Sequence, residues 1–305
     1  MTASQNIETI LNTDLLIENL AAPRHQIILD QDTIFNPSVT WLGNKRIFIA
    51  RRSSLKTING GLRYEYKSAP NTENFIFVYD KDNNLISTSL LNDLATRKLT
   101  GISDCGLEDI RLFVRDGALF GICSGLSFPG GIYKPKQLII EIRQSTIVNA
   151  IWMNSPTNSS HEKNWTPLVN NNSLYLFYGL DPLSCLEING NKLLLKKGLL
   201  TNSNKIKLRG GTPFITIKDK HICIGHYEPI ILDQRYYRHS FVMLDNELNL
   251  LEISRPFFIQ QRGLEFATGL CISDEMITLS YGVSDMAAHY LDFPVSGLNK
   301  YLQLS

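Results

Sequence analysis

Glu108-Asp-Ile-Arg-Leu-Phe-Val-Arg-Asp-Gly-Ala-Leu-Phe-Gly-Ile-Cys-Ser124 decides the fold. It reads as a charged cluster, an apolar strand, a tight Asp116-Gly117 turn and a second apolar strand that ends in small polar residues. The same grammar returns in Asn36-Pro-Ser-Val-Thr-Trp-Leu-Gly-Asn-Lys-Arg-Ile-Phe-Ile-Ala-Arg-Arg52 and in Lys163-Asn-Trp-Thr-Pro-Leu-Val-Asn-Asn-Asn-Ser-Leu-Tyr-Leu-Phe-Tyr178. It returns again in Gly210-Gly-Thr-Pro-Phe-Ile-Thr-Ile-Lys-Asp-Lys-His-Ile-Cys-Ile-Gly-His226 and in Glu265-Phe-Ala-Thr-Gly-Leu-Cys-Ile-Ser-Asp-Glu-Met-Ile-Thr-Leu-Ser-Tyr281. Between these segments lie second hairpins, such as Phe75-Ile-Phe-Val-Tyr-Asp-Lys-Asp-Asn-Asn-Leu85 and Phe241-Val-Met-Leu-Asp-Asn-Glu-Leu-Asn-Leu250. A recurrence of roughly 50 to 70 residues suits four-stranded propeller blades. The expectation is therefore an all-β, five-bladed β-propeller. A β-sandwich also carries many short strands, but it gives no reason for one polar grammar to return five times.

Nothing in the composition divides the chain, so residues 1–305 are expected to form a single domain, with 1–25 a leading segment and a short helix near Thr9 to Leu20. Hydrophobic residues at 43 % and charged residues at 19 % exclude a disordered chain. A formal net charge of +1 gives no bulk electrostatic basis for binding nucleic acid or an acidic membrane. No stretch approaches the roughly 20 apolar residues of a membrane span. The polar start, Met1 to Thr13, lacks the apolar run of a signal peptide. The five cysteines are scattered without a CxxC pair, so they read as free thiols in a reducing, cytoplasmic setting and not as a zinc site. No metal and no cofactor is expected.

In a propeller the inner strands surround one channel, so their equivalent ends converge although they are distant in sequence. Asn36, Glu108, Asp109, Lys163, Asn164, Arg209 and Glu265 fall at one end of the inner strands, with Thr212 beside them in the fourth repeat. Arg51, Arg52, Asp181, His226 and Asp285 fall at the ends of the strands that follow. Burying such groups unpaired costs several kcal/mol each, so they either satisfy one another or meet a polar ligand. Of the adjacent pair Glu108 and Asp109, strand alternation should turn only one toward the channel. Asp109 is the expected one, with Glu108 held by a backbone amide or by Arg111. Trp165, Tyr178 and Tyr281 are placed to stack on sugar faces or to pack between blades. The segment Asp233 to Ser240, with Arg235, Arg238 and His239, reads as a loop that is either solvated or in contact with a ligand.

In order along the chain stand Asn36-Pro37-Ser38, an Arg after the next strand, Glu108-Asp109-Ile110-Arg111, Lys163-Asn164-Trp165, Gly210-Gly211-Thr212-Pro213, His226 and Ser280-Tyr281-Gly282-Val283-Ser284-Asp285. This series, from about Asn36 to Asp285, resembles glycoside hydrolase family 130, the β-mannoside phosphorylases and hydrolases, and the related GDP-mannose-dependent β-mannosyltransferases. The resemblance implies that Asp109 is the catalytic acid, although Ile110 replaces the family's Pro. It implies that Asn36 and Arg51 or Arg52 bind sugar, that Asp285 holds sugar hydroxyls, and that His226 stands where the phosphorylases bind phosphate. The run Leu176-Phe-Tyr-Gly-Leu-Asp181 carries no Arg where those phosphorylases have one, which argues against phosphorolysis.

Inverting glycosyl transfer needs an acid or base at the scissile oxygen and room for the nucleophile. Arg51, Arg52, Lys163, Arg209 and His226 exceed what a neutral glycan requires and suit a phosphate-bearing partner. The expected function is β-mannosyl-type transfer from a sugar nucleotide or sugar phosphate to an oligosaccharide acceptor. A β-mannoside hydrolase or phosphorylase and a non-catalytic glycan-binding propeller are the alternatives. The expected substrate contacts are Asn36, Arg51, Arg52, Glu108, Lys163, Asn164, Trp165, Arg209, His226, Tyr281 and Asp285, with Asp109 catalytic.

Overall fold

The computed structural model describes residues 7–10, 12–29, 32–54, 56–58, 63–65, 71–94, 96–97, 105–127, 134–189, 192–200 and 205–304. The recurrent grammar becomes five antiparallel blades. Blade one holds Phe35–Leu42, Lys45–Ser53, Thr72–Tyr79 and Leu85–Leu90, from the channel outward. Blade two holds Leu107–Arg115, Ala118–Ser127, Lys134–Arg143 and Thr146–Trp152. Blade three holds Thr166–Asn170, Ser173–Leu180, Leu183–Asn189 and Lys192–Gly198. In blade four the inner strand is broken into Arg209–Gly210 and Ile215–Ile217, followed by Lys220–Tyr227, Arg238–Asp245 and Leu250–Ile253.

Blade five is assembled from both ends of the chain. Glu265–Ser273, Met276–Val283 and Ala287–Pro294 are completed by Arg24–Ile27, which runs antiparallel to the last of them with Arg24 opposite Leu291 and Ile27 opposite Ala288. This borrowed strand ties the start of the chain to its end and so closes the ring. The leading segment is less helical than expected. Its described residues are helical at 7–10 and in the five-residue helix Leu16–Leu20, and between them Leu15 bridges to Phe258.

Burial follows position in the blade. The inner strands Leu107–Arg115 and Glu265–Ser273 are buried at seven successive residues, whereas the outer strand Leu85–Leu90 is exposed at all positions but one. Five apolar clusters fill the seams between blades. Ile47, Ile49 and Ile76 meet Ile110, Leu138 and Ile140 between blades one and two. Val39, Phe48 and Phe77 meet Cys271, Tyr290 and Ile27 where the ring closes. Tight hairpins keep the strands short: Asp116-Gly117, Asn171-Asn172 and Asp274-Glu275 all take positive φ at both turn residues, the geometry that matches strand twist. All five cysteines are free and buried. No helix among the described residues is long and apolar enough to cross a membrane.

Polar contacts stitch the inner strands into a ring. Thr268 of blade five donates to the Pro37 carbonyl of blade one at 2.8 Å, and Ser38 Oγ of blade one accepts the Leu112 N–H of blade two at 2.9 Å. The Arg111 side chain of blade two reaches the Gly211 carbonyl of blade four at 2.5 Å. The Phe214 N–H of blade four donates to the Pro167 carbonyl of blade three at 2.9 Å. These bonds fix the start of each inner strand relative to its neighbours.

Candidate active site

Asn36, Asp109 and Asn164 open the inner strands of the first three blades, and all three are left-handed, with φ of 48°, 51° and 62°. Asn and Asp tolerate this region better than other side-chain-bearing residues. In blades one and two the left-handed residue sits in a bulge, where the strand pairing shifts between Phe35 and Ser38 and between Glu108 and Arg111. A bulge re-aims side chains, and here it overturns the expectation from strand alternation. Glu108 and Asp109 do not point to opposite faces; both contact the same guanidinium. Arg51 Nη1 lies 2.6 Å from Glu108 Oε1, and Arg51 Nε lies 3.1 Å from Asp109 Oδ1.

The cluster extends to both sides. Asn36 Nδ2 donates to Asp109 Oδ1 at 3.0 Å, and Lys163 Nζ pairs with Glu108 Oε2 at 3.1 Å. Burial opposes the charge on Arg51, but Asp109, Glu108 and Asp285 outweigh it and hold the guanidinium firmly protonated. Asp285, left-handed at φ 52°, thus belongs to the same electrostatic group. The Arg51 guanidinium also lies 4.5 Å from the centre of the Phe35 ring, a cation–π contact.

Arg111 was not among the expected contacts, yet it ties the cluster together. It is fully buried and donates to the Gly211 carbonyl, to the Asp109 carbonyl at 3.1 Å and to Asn164 Oδ1 at 2.9 Å. Burial pulls its pKa down to about 10 against the attraction of Asp109 and Glu108. The signal was its place in Glu108-Asp109-Ile110-Arg111, since an inward arginine on a buried strand must find acceptors from other blades.

His226 is buried between the Tyr237 ring, stacked at 5.1 Å, and the Phe266 ring, edge-on at 4.9 Å. Burial first, then His239, Arg209 and Arg111, hold it well below the ordinary histidine range, so it is neutral. His239, a second buried histidine, lies in the strand Arg238–Asp245 and not in a loop, where it accepts the Ala267 N–H through Nε2, and burial lowers it to about 3.

Several expected contacts lie elsewhere. Arg52 turns away from Arg51 and pairs with Glu73 at 2.6 Å and with Asp32. Successive residues of that strand face opposite sides. Trp165 is wholly buried, packed edge-on against Tyr178 at 5.6 Å, and its indole N–H donates to Glu162. Tyr281 is equally buried and donates to Gln260 Oε1 at 2.8 Å. Both rings are core and offer no face for stacking on a sugar. Arg209 faces Glu228, 3.7 Å away, and Arg235 reaches the same carboxylate at 3.1 Å. Thr212 spends its hydroxyl inside blade four, accepting the Ile224 N–H. The Glu265 carboxylate accepts the N–H groups of Ile259, Gln260 and Gln261. No cluster of metal-ligating side chains occurs among the described residues.

The arrangement is a carboxylate, Asp109, held on Oδ1 by an amide and a guanidinium at the meeting of three blades, with a second ion-paired carboxylate beside it. No known family's sequence profile matches the chain, and no curated protein is similar to it in sequence. Solved structures do share its fold. A β-1,2-mannobiose phosphorylase from Listeria innocua matches with a TM-score of 0.60 at 12 % identity, over 90 % of this chain and 94 % of its own. A GDP-Man-dependent mannosyltransferase from Leishmania mexicana matches with a TM-score of 0.60 at 11 % identity, over 89 % of each chain. A glycosyl hydrolase from Bacteroides ovatus matches with a TM-score of 0.61 at 11 % identity, over 87 % of this chain and 85 % of its own. The chain has the five-bladed propeller fold of these carbohydrate-active proteins.

Proposed function

We propose that the chain is a carbohydrate-active enzyme that transfers a glycosyl group with inversion, with Asp109 as the general acid or base. The observation that carries this reading is the grip on Asp109: Asn36 and Arg51 fix one carboxylate oxygen at 3.0 and 3.1 Å, where three inner strands start. In the proposed step the Asp109 carboxyl exchanges a proton with the oxygen at the bond being broken or made. The nucleophile attacks the anomeric carbon from the opposite face, so the leaving oxygen departs with the bonding pair. Asn36, Asn164 and Asp285 offer acceptors and donors to sugar hydroxyls.

The sugar is read as a β-mannosyl residue, from the resemblance of the motifs and from the solved structures that share the fold. The donor is read as phosphate-activated, such as GDP-mannose, with an oligosaccharide acceptor. Lys163 and Arg209 support this, because their side chains stay 28 % and 38 % exposed and can meet a phosphate. A second reading, β-mannoside hydrolysis or phosphorolysis, is favoured by charge balance. Arg51 and Lys163 are matched by Asp109 and Glu108, Arg209 faces Glu228, and His226 is held well below the ordinary histidine range. A neutral glycan would meet Arg51, Lys163 and Arg209 already facing carboxylates.

A thermal-shift screen with GDP-mannose, mannose 1-phosphate, phosphate and mannobiose separates these readings, since a ligand that binds the native state raises the melting temperature by mass action. Stabilisation by GDP-mannose, with mannose transferred to an acceptor, supports transfer. Cleavage of mannobiose without a sugar nucleotide replaces it with hydrolysis, or with phosphorolysis if phosphate is required.

A further inference from the structure

Among the described residues, the buried and half-buried arginines other than Arg238 have acceptors. Arg46 pairs with Asp292, Arg51 with Glu108, Arg97 with Asp93 and Arg235 with Glu228. Arg111 and Arg262 are satisfied by carbonyl oxygens. Arg238 breaks the pattern. Its guanidinium has neither a carboxylate nor a carbonyl partner among the described residues, whereas Arg46, Arg51 and Arg235, whose Nε is likewise buried without a hydrogen bond, are each held by a carboxylate. Burial lowers its pKa, with only the Tyr227 phenol pulling the other way. An uncompensated half-buried cation costs free energy.

Arg238 lines a pocket of about 520 Å³ between the leading segment and blade four. Glu8, Asn12 and Asp14 of the leading segment and Arg255 and Pro256 of the approach to blade five complete the part that matters here. Arg255 is already matched by Asp14 at 2.9 Å, so among the described residues Arg238 is the cation of the wall without an ion pair, and Glu8 the carboxylate without one. A planar guanidinium with free donors suits two oxygens of a phosphate or carboxylate. The carboxylate and amide groups around it suit hydroxyls. The volume falls in the range of small-molecule sites, roughly 300–1,000 Å³.

We propose that this pocket is a second ligand site, separate from the Asp109 cluster, that takes a small phosphorylated polyol, its phosphate on Arg238 and its hydroxyls on Glu8 and Asn12. The inference is independent of the reaction assigned to Asp109. It makes the leading segment part of a binding site as well as the approach to the ring-closing strand.

Calorimetric titration of mannose 6-phosphate, inorganic phosphate and mannose into the wild type, Arg238→Gln and Asp109→Asn tests it. Mannose 6-phosphate should bind the wild type more tightly than either part alone. The Asp109→Asn protein should bind it equally well. Arg238→Gln should weaken it tenfold or more, the loss of about one charge-assisted contact, with an unchanged or raised melting temperature because an unmatched charge has gone. Asn12→Trp, which fills the pocket from its rim, should also abolish binding. Full affinity in Arg238→Gln overturns the proposal, as does the absence of binding to the wild type. Binding lost in Asp109→Asn but kept in Arg238→Gln would put the ligand in the channel, which overturns the second site and leaves the glycosyl-transfer reading intact.

Discussion

The Asn36 side-chain amide donates to Asp109 Oδ1 at 3.0 Å, joining two residues 73 positions apart at the start of neighbouring inner strands. Both are left-handed and both sit in strand bulges. The contact therefore depends on two local distortions of otherwise regular strands. Strain of this kind persists only where the surroundings over-determine it. Here Arg111 pins the Asp109 carbonyl and Arg51 pins its side chain.

Asp109→Asn is expected to lower turnover on any active substrate by at least about a hundredfold, within the range for a general acid or base. The side chain keeps its shape but loses the titrating proton and the charge facing Arg51. Steady-state turnover beside a thermal melt checks it. Unchanged turnover in a folded protein would transfer the role to Glu108 or Asp285.

Arg51→Gln should destabilise the fold by about 3–5 kcal/mol, the usual cost of breaking a buried ion pair from one side. It leaves Glu108 and Asp109 facing each other with Lys163 and Arg111 as the remaining cations. Carboxylates stranded in this way bind protons more tightly folded than unfolded, so the variant gains stability as pH falls. Urea unfolding at pH 5 and pH 8 should show a smaller deficit at pH 5. An equal deficit at both values would mean that the loss is one of packing.

The blades were legible because an inner strand buried on both faces must be continuously apolar, whereas its ends can be polar only if they converge. Phe113 and Val114 between Asp109 and Asp116 say this plainly. The ring-closing strand was not legible: Arg24-His-Gln-Ile27 is short and mixed, and its pairing with Ala288–Leu291 is decided across the whole chain. In the site, the repeat grammar put Asn36, Asp109 and the pair Arg51 and Arg52 at strand ends, and Asn36, Asp109 and Arg51 are in contact. It could not tell Arg51 from Arg52, because which of two adjacent residues faces inward depends on register. Nor could it reveal that Glu108 joins Asp109, since the bulge that cancels alternation is a tertiary outcome held by Arg111. Trp165 and Tyr281 misled because an aromatic at a strand end looks the same whether it stacks on a ligand or fills the seam between blades.

Glu265 should make stability depend on pH in an unusual direction. Burial raises it to about 7 despite three backbone donors, against an ordinary value of 4.5. Between these values the folded state binds more protons than the unfolded chain, so this residue's contribution to stability falls as pH rises from about 4.5 to about 7 and is flat above. Glu265→Gln should remove that slope. It should also cost about 1–3 kcal/mol for each N–H left unsatisfied in the loop before blade five. Unfolding free energies of both proteins across this window check it, and an identical slope in the variant would assign the effect to another group.

The buried histidines work in the opposite direction. His239 is lowered to about 3 and His226 well below 6.5, so acid protonates them in the unfolded chain before the folded one. Their contribution is fully present above about 6.5 and is lost as pH falls toward the folded values. NMR titration of the histidine ring protons should show neither ring titrating between pH 7 and pH 5. A midpoint near 6.5 for either would place it in contact with solvent.

Gly282→Ala offers a way to move Asn36 without touching the charged cluster. A Cβ at Gly282 would stand 2.0 Å from Asn36 Oδ1, 2.7 Å from its N and 3.1 Å from its Cα. Backbone cannot yield cheaply, so the bulge at Asn36 must shift, at a cost of about 1–3 kcal/mol for overpacking. Gly282 pairs with Phe266 on one side and Ala288 on the other, in a strand whose remaining contacts are unchanged, so the blade should still form. The displaced amide can no longer hold Asp109 at 3.0 Å, and a misplacement of about 1 Å at a reacting group can cost on the order of a hundredfold in rate. The expected outcome is a folded protein with a modestly lowered melting temperature and turnover depressed far beyond what that loss explains. Adding Asn36→Ala on top should then change turnover little, because the contact is already gone. If Gly282→Ala melts lower but turns over normally, the Asn36–Asp109 bond is a strut of the ring and not part of the catalytic arrangement.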